Sequence, residues 1–504
     1  MRFCVSQTKI VMIKDFQGKL LVSLSAALLF FSISGCQTTR APKTPYQSWT
    51  PSAKEDISLQ DDPVRDSIAA QEVETQRPLA LVELINIALA NNPQTRQAWE
   101  DARQYEAIEG QAQSRWYPQV TLSGDASKHK VTASQEANDV NRLVYGPEIQ
   151  LTYLLLDFGG RTAAVEEAMN MLLAANYQFN QSFQDLLLNV SEAYYSLYSS
   201  YSRQEAAEAD VEDSQKVLEK AQQKYEVGLG SKLDLLQEQS NYDDAMYNLE
   251  QAKGEVKTAA GNLAEVLGLS ADTPISIASP AKEVPTDISE ENVSALIAEA
   301  LKRKPRIAAM RATLKAKEAA VTVANSELWP TLSVSGSADK NWYHSYAGDY
   351  YYESGDAQGD DYGYKGYLAV QWNIFDGFYN LNKKREAQAQ RDAQRELLAQ
   401  EELAAGTEVW NQYYNFRTAK EKLAYSKAFL ENAQGAYELA LEGYNNGLKS
   451  MVDLLQAQSQ LSSARSKLIQ TQKDLFFALA ELAHATGSMY LEGSLAEEIS
   501  ESGA

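Results

Sequence analysis

Residues 225–237 read YEVGLGSKLDLLQ, and residues 444–456 read YNNGLKSMVDLLQ. The two stretches share the pattern Tyr-x-x-Gly-Leu-x-Ser-x-x-Asp-Leu-Leu-Gln, and helical patterns flank both of them. A glycine between two helices is typical of a tight reversal, because glycine tolerates a positive φ. Each stretch is therefore predicted to join two antiparallel helices, and the chain contains this hairpin twice.

The repetition extends far beyond the two turns. The first copy matches the second without gaps in two stretches, 84–124 and 157–268. The offset between the copies is larger in the second stretch, which indicates a seven-residue insertion in the second copy between the positions that match Gly124 and Asp157. A register that stays fixed over such a length predicts two homologous halves of about 200 residues. The pairs at the limits of the two stretches are Leu84 with Leu296, Gly124 with Gly336, Asp157 with Asp376, and Gly268 with Gly487.

Each half begins with a helix and continues with two strands. A helical segment from Leu81 to about Arg115 ends at Pro118, and its copy ends at Pro330. Alternating apolar or small residues then predict strands with one apolar face. These residues are Val120, Leu122, Gly124, Ala126, Ile149, Leu151, Tyr153 and Leu155 in the first half, and Leu332, Val334, Gly336, Ala338, Leu368, Val370, Trp372 and Ile374 in the second.

Long proline-free segments follow the strands. No proline occurs between Pro147 and Pro274, and apolar residues recur from Val165 at the four-three spacing of coiled coils. A helix from Ala163 to Val227 would be about 100 Å long. Two interpretations are open at this point: coiled-coil hairpins with a small soluble sheet, or strands that face lipid. Because two strand pairs cannot close a barrel, the second interpretation needs several chains.

The start of the chain has the pattern of a lipoprotein signal. Lysines precede a short apolar run, and residues 33–36 read Ile-Ser-Gly-Cys, which resembles the bacterial lipobox. The run is shorter than the about 20 apolar residues that a membrane-spanning helix needs. Residues 1–35 are therefore predicted to be a removed signal peptide, with lipid attached to Cys36, and Gln37 favours the outer membrane. The alternative is an uncleaved signal in which Cys36 is an ordinary small residue.

The composition excludes several classes of protein. With 44% hydrophobic residues the 504-residue chain can bury a core, and its net charge of -22 makes nucleic acid a poor partner. Residues 157–159 imitate the Asp-Phe-Gly triplet of kinases, but no glycine-rich phosphate loop accompanies them. The three histidines, His129, His344 and His484, lack the spacing of metal ligands. No enzymatic activity, cofactor or metal site is predicted.

The doubled proline-ended helix, strand hairpin and turn, together with the Asp-Phe-Gly-Gly-Arg junction at 157–161, resemble the TolC family of outer-membrane channel proteins. The resemblance covers about Leu81 to Gly487. It implies an α+β membrane protein with a TolC-like fold, in which each of two repeats has a long coiled-coil helical hairpin and a β-hairpin. It further implies a homotrimer that forms a twelve-stranded β-barrel in the outer membrane, continued by an α-helical periplasmic tunnel. The strand-hairpin loops, 127–144 and 340–362, would face outside.

The repeats and flanking patterns divide the chain into five parts. The predicted parts are a signal peptide at 1–35, an acylated N-terminal segment at 36–80, a first TolC-type repeat at 81–285, a second at 286–489 and a C-terminal tail at 490–504.

The resemblance also implies that the two turns are the periplasmic tip, where family members dock an adaptor and constrict the tunnel. Links from Tyr444, Lys449 and Asp234 would close the tip, and three copies of Asp453 would meet on the axis. Leu233 stands where the family has a polar residue, and Gln456 stands where it has an acidic one. These departures favour a gate with weaker or different links. Alternatively, the two aspartates only complement helix dipoles. The implied tip or gate residues are Tyr225, Gly228, Asp234, Tyr444, Gly447, Lys449 and Asp453.

The function implied by the resemblance is passive exit. Substrates would be delivered by an inner-membrane pump or ABC exporter through a periplasmic adaptor protein, and the lipobox favours tripartite efflux. The partners are then further copies of the chain in a homotrimer, the adaptor, the transporter and outer-membrane lipid. Two alternatives stay open: a type I protein secretion channel, and a periplasmic structural coiled-coil lipoprotein.

Overall fold

The computed structural model describes residues 44–45, 49, 77–131, 140–280, 293–347 and 357–489. The predicted signal peptide, Cys36 and the predicted tail 490–504 lie outside the described residues. The first half contains α1 (Leu81–Asn91), α2 (Pro93–Gln113), β1 (Gln119–Val131), β2 (Val140–Leu156), α3 (Gly160–Glu226) and α4 (Lys232–Val266). The second half contains α5 (Val293–Arg303), α6 (Pro305–Ser326), β3 (Thr331–Ala347), β4 (Ala357–Gln371), α7 (Tyr379–Asn445) and α8 (Met451–Thr486).

The helix boundaries confirm the predicted repeat. Helices α1 and α5 begin at positions separated by the offset of the first stretch, and α3 and α7 begin at positions separated by the offset of the second. Each of the two long helices, α3 and α7, contains 67 residues. The extra residues of the second copy therefore fall between its first helices and α7, where its strand pair lies. At 1.5 Å per residue, each long helix spans about 100 Å.

The first helical segment is not continuous, and the prediction of one helix from Leu81 to about Arg115 was wrong. The segment breaks between Asn91 and Pro93, because proline has no N–H to donate and its ring clashes with the preceding turn. Asn92 caps the second helix, since its side chain accepts a hydrogen bond from the Gln94 N–H at 2.8 Å. In the second repeat the same break precedes Pro305.

The four strands form one antiparallel sheet in the order β1-β2-β3-β4. The register pairs Leu122 with Ile149 and Leu151 with Gly336, so the apolar positions predicted from the sequence share one face. That face is open to the surroundings of the protomer, where Leu122 is 76% exposed. Ser335, on the opposite face, is buried. The predicted alternation and the assignment of one apolar face are confirmed, except that β4 ends at Gln371, so Trp372 and Ile374, which were predicted on that strand, lie beyond it.

The strand hairpins are longer than predicted. The ladder pairs Ser127 with Val144 and Lys340 with Tyr362, so most of the residues predicted as loops are strand. Cross-strand contacts favour this extension, because Lys340 donates a hydrogen bond to the Tyr362 hydroxyl at 2.8 Å. Of the predicted loop 340–362, residues 348–356 lie outside the described residues.

The helices pack through small apolar clusters rather than one core. Phe183 and Val190 of α3 pack with Leu263 of α4 near α1, and Val217 packs with Leu454 close to the two turns. Helix α3 contacts α4, α6 and α8, which places it inside the protomer, whereas α4 packs mainly on α3 and lies at an edge. Within the described ranges, none of the helices combines the length and the apolar character that crossing a membrane requires.

Candidate channel tip and membrane junction

Both turns end a long helix in the same way. Gly228 has φ 77°, its N–H donates to the Tyr225 carbonyl at 3.0 Å, and the Leu229 N–H donates to the Lys224 carbonyl at 2.8 Å. These two bonds define a Schellman motif, which favours glycine because its first residue beyond the helix is left-handed. Gly447, with φ 72°, does the same in the second repeat. The left-handed backbone at each turn therefore explains why the residue there is glycine.

Asp234 and Asp453 each occupy the third position of the helix that leaves a turn. The Asp234 N–H donates to Ser231 Oγ at 3.0 Å, and the Ser450 N–H donates to Asp453 Oδ2 at 3.1 Å, so both turns contain a reciprocal capping box. Hydrogen bonds from Ser450 and the nearby Lys449 charge lower the pKa of Asp453. Each aspartate thus stabilises the first turn of its helix.

Tyr444 is buried in the apolar cluster beside the turns. The Lys224 ammonium group lies 3.8 Å from the centre of the Tyr444 ring and donates to the Tyr444 carbonyl. Burial raises the pKa of Tyr444, and the charges of Asp234 and Glu238 raise it further. Tyr444 therefore lies close enough to Asp234 for the carboxylate charge to affect it, and the links that would close the tip stay a prediction.

The remaining predicted tip residues lie at the surface. Tyr225 is partly exposed, with the Lys232 ammonium group 5.3 Å from its ring centre, and Lys449 is exposed. The outer surface of both turns is apolar and exposed, which makes it suited to contact another protein. Its large residues are Val227, Leu229, Leu233, Leu448 and Val452.

Several tip residues were not predicted from the sequence. The capping role of Ser231 and Ser450 could have been predicted from the Ser-x-x-Asp spacing. Glu238 occupies an apolar position of the four-three pattern, one helical turn before Tyr242, and its side chain is completely buried. The contact between Lys224 and Tyr444 joins residues 220 positions apart, and no local pattern indicates it.

Aromatic residues surround the junction between the strands and the long helices. Arg161 is buried there, where its guanidinium group donates to the Leu154 carbonyl at 2.6 Å and lies 4.4 Å from the Trp116 ring centre. Phe158 stacks on Trp329. A belt of aromatic side chains next to an apolar strand face is typical of a membrane–water interface. The exposed members are Trp116, Tyr117, Phe158, Trp329, Trp372, Phe375, Phe378 and Tyr379.

The three histidines lie apart from one another. His129 is on β1 and His344 on β3, whereas His484, near the end of α8, forms ion pairs with Asp185 and Glu408. Among the described residues, no three histidine, cysteine or acidic side chains are grouped so that they could hold a metal ion.

The fold and the doubled turn belong to a known class of channel proteins. The outer membrane efflux protein family model matches residues 84–269 and 296–488. The chain therefore belongs to this family, and the resemblance to TolC-type channels is confirmed. It is a subunit of an outer-membrane efflux channel.

Individual relatives agree with this assignment. Protein CyaE of Bordetella pertussis is 30% identical over 414 residues, which are 82% of this chain and 84% of that protein. The toluene efflux pump outer membrane protein TtgC of Pseudomonas putida is 23% identical over 489 residues, 93% of this chain and 96% of its own. The solved outer-membrane channel OprN has the same fold, with a TM-score of 0.69, 21% identity and coverage of 87% and 98% of the two chains.

Proposed function

We propose that three copies of this chain close into one channel, which receives substrates from an inner-membrane pump through a periplasmic adaptor and releases them passively, without catalysis. The observation that carries this proposal is that both lateral edges of the protomer expose groups that a neighbouring copy would cover. Strands β1 and β4 are the edges of the sheet, and each leaves a row of backbone groups unpaired in the protomer. Pairing β1 of one copy with β4 of the next gives a closed ring of twelve strands.

The helices carry a matching pair of exposed faces. Leu403, Tyr414 and Leu439 of α7 are exposed. Tyr414 lies about three helical turns beyond Leu403, and Leu439 lies about ten turns beyond it, so the three side chains share one face of the helix. On α4, Leu236 and Tyr247 are exposed and also lie about three turns apart. Packing α4 of one copy on α7 of the next would bury both apolar faces, and this contact follows the same direction around the ring as the pairing of β1 of one copy with β4 of the next.

We favour tripartite efflux over type I secretion. The lipobox-like segment and the likeness to TtgC, whose name describes a toluene efflux pump, support this choice. A purely structural periplasmic lipoprotein explains neither the exposed apolar sheet face nor the aromatic residues beside it. We also retain the five-part division of the chain given by the sequence, from the signal peptide 1–35 to the tail 490–504.

The simplest test of the channel is electrical. Purified protein, which should migrate as a heat-modifiable trimer, is expected to form discrete conducting units in a planar lipid bilayer. A trimer that never conducts would favour the scaffold interpretation. Protein that remains monomeric after membrane extraction would contradict the ring.

The position of Trp49 fits a lipid anchor at Cys36. The side chain of Asn180 binds both backbone groups of Trp49, accepting from its N–H and donating to its carbonyl at 2.6 Å each. On α3, Asn180 lies about 30 Å from Gly160, which is at the membrane junction. The segment that joins Cys36 to Trp49 reaches about 45 Å when extended, so it is long enough to return to the membrane.

The mature protein is expected to begin at Cys36, carry lipid on that residue and fractionate with the outer membrane. The physical reason is that the apolar run before it is too short to span a bilayer, whereas acyl chains provide an anchor. Mass spectrometry of the amino-terminal peptide measures both the start and the modification. Cys36→Ala is the control and should abolish the lipid mass. A mature start elsewhere, or an unmodified Cys36, would contradict the prediction.

We further propose that the turns form the periplasmic tip and that three copies of Asp453 surround the tunnel entrance. Asp453→Asn is then expected to reduce cation selectivity and block by multivalent cations, because the substitution removes three negative charges from a narrow part of the tunnel. Single-channel recording measures both. Ser450→Ala is the matched control, since it disturbs the same capping box but keeps the Asp453 charge. Equal effects of the two substitutions would mean that Asp453 acts only at its helix start.

A further inference from the structure

The two turns contain the same pair of residue types in exchanged positions. In the register of the repeat, Lys224 matches Gly443 and Gly230 matches Lys449. A β-carbon added to Gly230 would lie 3.1 Å from Lys224 Cβ, and one added to Gly443 would lie 2.7 Å from Lys449 Cγ. Each lysine side chain therefore packs on the glycine of its own turn. Lys224, however, belongs to the helix that enters its turn, whereas Lys449 lies beyond the end of α7.

Lys224 is the last member of a stripe on α3 that faces the second repeat. Ser214, Val217, Ala221 and Lys224 are three or four positions apart, which places them on one side of the helix. Ser214 accepts a hydrogen bond from Gln458 at 2.8 Å, and the two apolar members pack in the cluster formed with α7 and α8. The partly buried Lys224 side chain therefore points toward the second hairpin.

The Lys224 ammonium group caps the C-terminal end of α7. It donates a hydrogen bond to the Tyr444 carbonyl, in the last turn of that helix, and lies 3.8 Å from the centre of the Tyr444 ring. The same carbonyl accepts from the Gly447 N–H at 3.1 Å, so both of its lone pairs are used. Helix C-termini carry partial negative charge and favour a cation, and the last turn of α7 contains no basic residue of its own. The other hairpin thus supplies the cation that stabilises this helix end.

The other charged residues of the tip are engaged within their own repeat or exposed. The two aspartates form the capping boxes of their own helices, and Lys449 is exposed. Of residues 224–236 and 443–455, all of which the structure describes, Lys224 alone donates a hydrogen bond to the other repeat. The Lys224 contact is therefore the polar connection between the two turns of a protomer.

We propose that Lys224 fastens the two turns of each protomer to one another, by capping α7 from the end of α3. This inference rests on the proposed function, because it names the contact that would hold the tip of the channel together. The resemblance assigned the basic closing residue to Lys449. In this chain Lys224 makes the link inside the protomer, and Lys449 is left for a contact with a neighbouring copy. Without the Lys224 charge, the last turn of α7 loses its cation and the second turn moves away from α3 more easily.

Hydrogen–deuterium exchange of the purified trimer tests the link without requiring conduction. The amides of Gly447 and Leu448 are protected by hydrogen bonds to the Tyr444 and Gly443 carbonyls at the end of α7. In Lys224→Met these amides are expected to exchange on the order of 10-fold faster than in the wild type, the factor for one hydrogen bond from a charged group together with a cation–π contact. Lys224→Arg should keep them close to the wild type, because a guanidinium group also donates hydrogen bonds and stacks on rings.

Lys220→Met is the matched control, since it removes the same charge from an exposed position one turn earlier on α3. It should leave the exchange of the second turn unchanged. Lys224→Gln removes the charge but keeps a polar side chain, so it should behave like Lys224→Met and serves if methionine impairs assembly. Exchange in Lys224→Met that equals the wild type, or an equal acceleration in Lys220→Met, would overturn the link.

Single-channel recording separates the link from the proposed channel. Because a loosened tip constricts the tunnel less, Lys224→Met is expected to raise the conductance, and Lys220→Met is expected to leave it unchanged. A trimer in which Lys224→Met accelerates exchange but no variant conducts would contradict the proposed channel and retain the link.

Discussion

Leu151→Arg is expected to abolish trimer assembly in the outer membrane, whereas Gln150→Arg is expected to leave it nearly unchanged. Leu151 lies on the apolar sheet face of β2, between Tyr145 and the strand end at Leu156, and pairs with Gly336 in the interior of β3. An arginine that faces lipid at this depth costs about 2–4 kcal/mol. Three copies in one ring multiply the cost to roughly 6–12 kcal/mol, which is comparable with the whole folding stability of a typical protein. Gln150 points to the opposite face, where a charge stays hydrated.

The register also predicts a gradient along the strand. Val370 lies on the same apolar face but pairs with Leu332, only one residue from the periplasmic end of β3. Val370→Arg should therefore cost about 0–1 kcal/mol, because an arginine near the interface reaches water. Trimer yield after outer-membrane extraction measures all three variants. Equal yields for Leu151→Arg and Gln150→Arg would mean that the two sheet faces have been assigned to lipid and lumen wrongly.

The repeat explains why so much of the fold could be predicted from the sequence. Two copies of each signal constrain one another, and the paired boundaries of α3 and α7 follow from the constant register between the copies. The hairpin lengths were predicted less well, because polar strand residues beyond the apolar band resemble a loop in the sequence. The break before Pro93 was missed because helical patterns flank the proline on both sides and favour a single helix.

The contacts that define the tip were only partly accessible from the sequence. The capping boxes are local, and the Ser-x-x-Asp spacing indicates them. The burial of Glu238 follows from extending the four-three pattern by one step. By contrast, the contact of Lys224 with Tyr444 and the pairing of Arg465 with Asp210 join the two repeats across 220 and 255 positions. Such contacts depend on how the two hairpins pack, and the pattern of one hairpin does not contain that information.

A second such contact joins the repeats farther from the turns, in the interior of the two long helices. His484 of α8 lies between Asp185 of α3, at 2.7 Å, and Glu408 of α7, at 3.8 Å, and Glu408 also pairs with the buried Lys304. Burial alone would lower the pKa of His484, but its interactions with the two carboxylates raise it to about 9. Burial alone would raise the pKa of Glu408, but its interactions with His484 and Lys304 lower it to about 2. This charge cluster links α3, α7, α8 and the start of α6.

Glu408→Gln is expected to lower the free energy of unfolding by about 2–3 kcal/mol at pH 7. Lys304 is only 3% exposed and would lose its ion-pair partner, but Glu408 is itself partly exposed, so the cost is below the full value for a buried pair. Thermal unfolding of the detergent-solubilised trimer measures the change. Glu402→Gln, which breaks the more exposed pair with Arg311, is the control and should cost less than about 1 kcal/mol.

The same cluster gives the protein a defined pH dependence. The raised pKa of His484 means that its contribution to stability is complete below about pH 6.5 and is lost as the pH rises through about 9. In His484→Gln the melting temperature should therefore be lower than that of the wild-type protein at pH 6.5, and the difference should shrink toward pH 10. Glu408 contributes in the opposite sense, since its stabilisation is present above about pH 4.5 and is lost only as the pH falls through about 2. A melting-temperature difference between the wild type and His484→Gln that stays constant from pH 6.5 to pH 10 would show that His484 packs there without its charge.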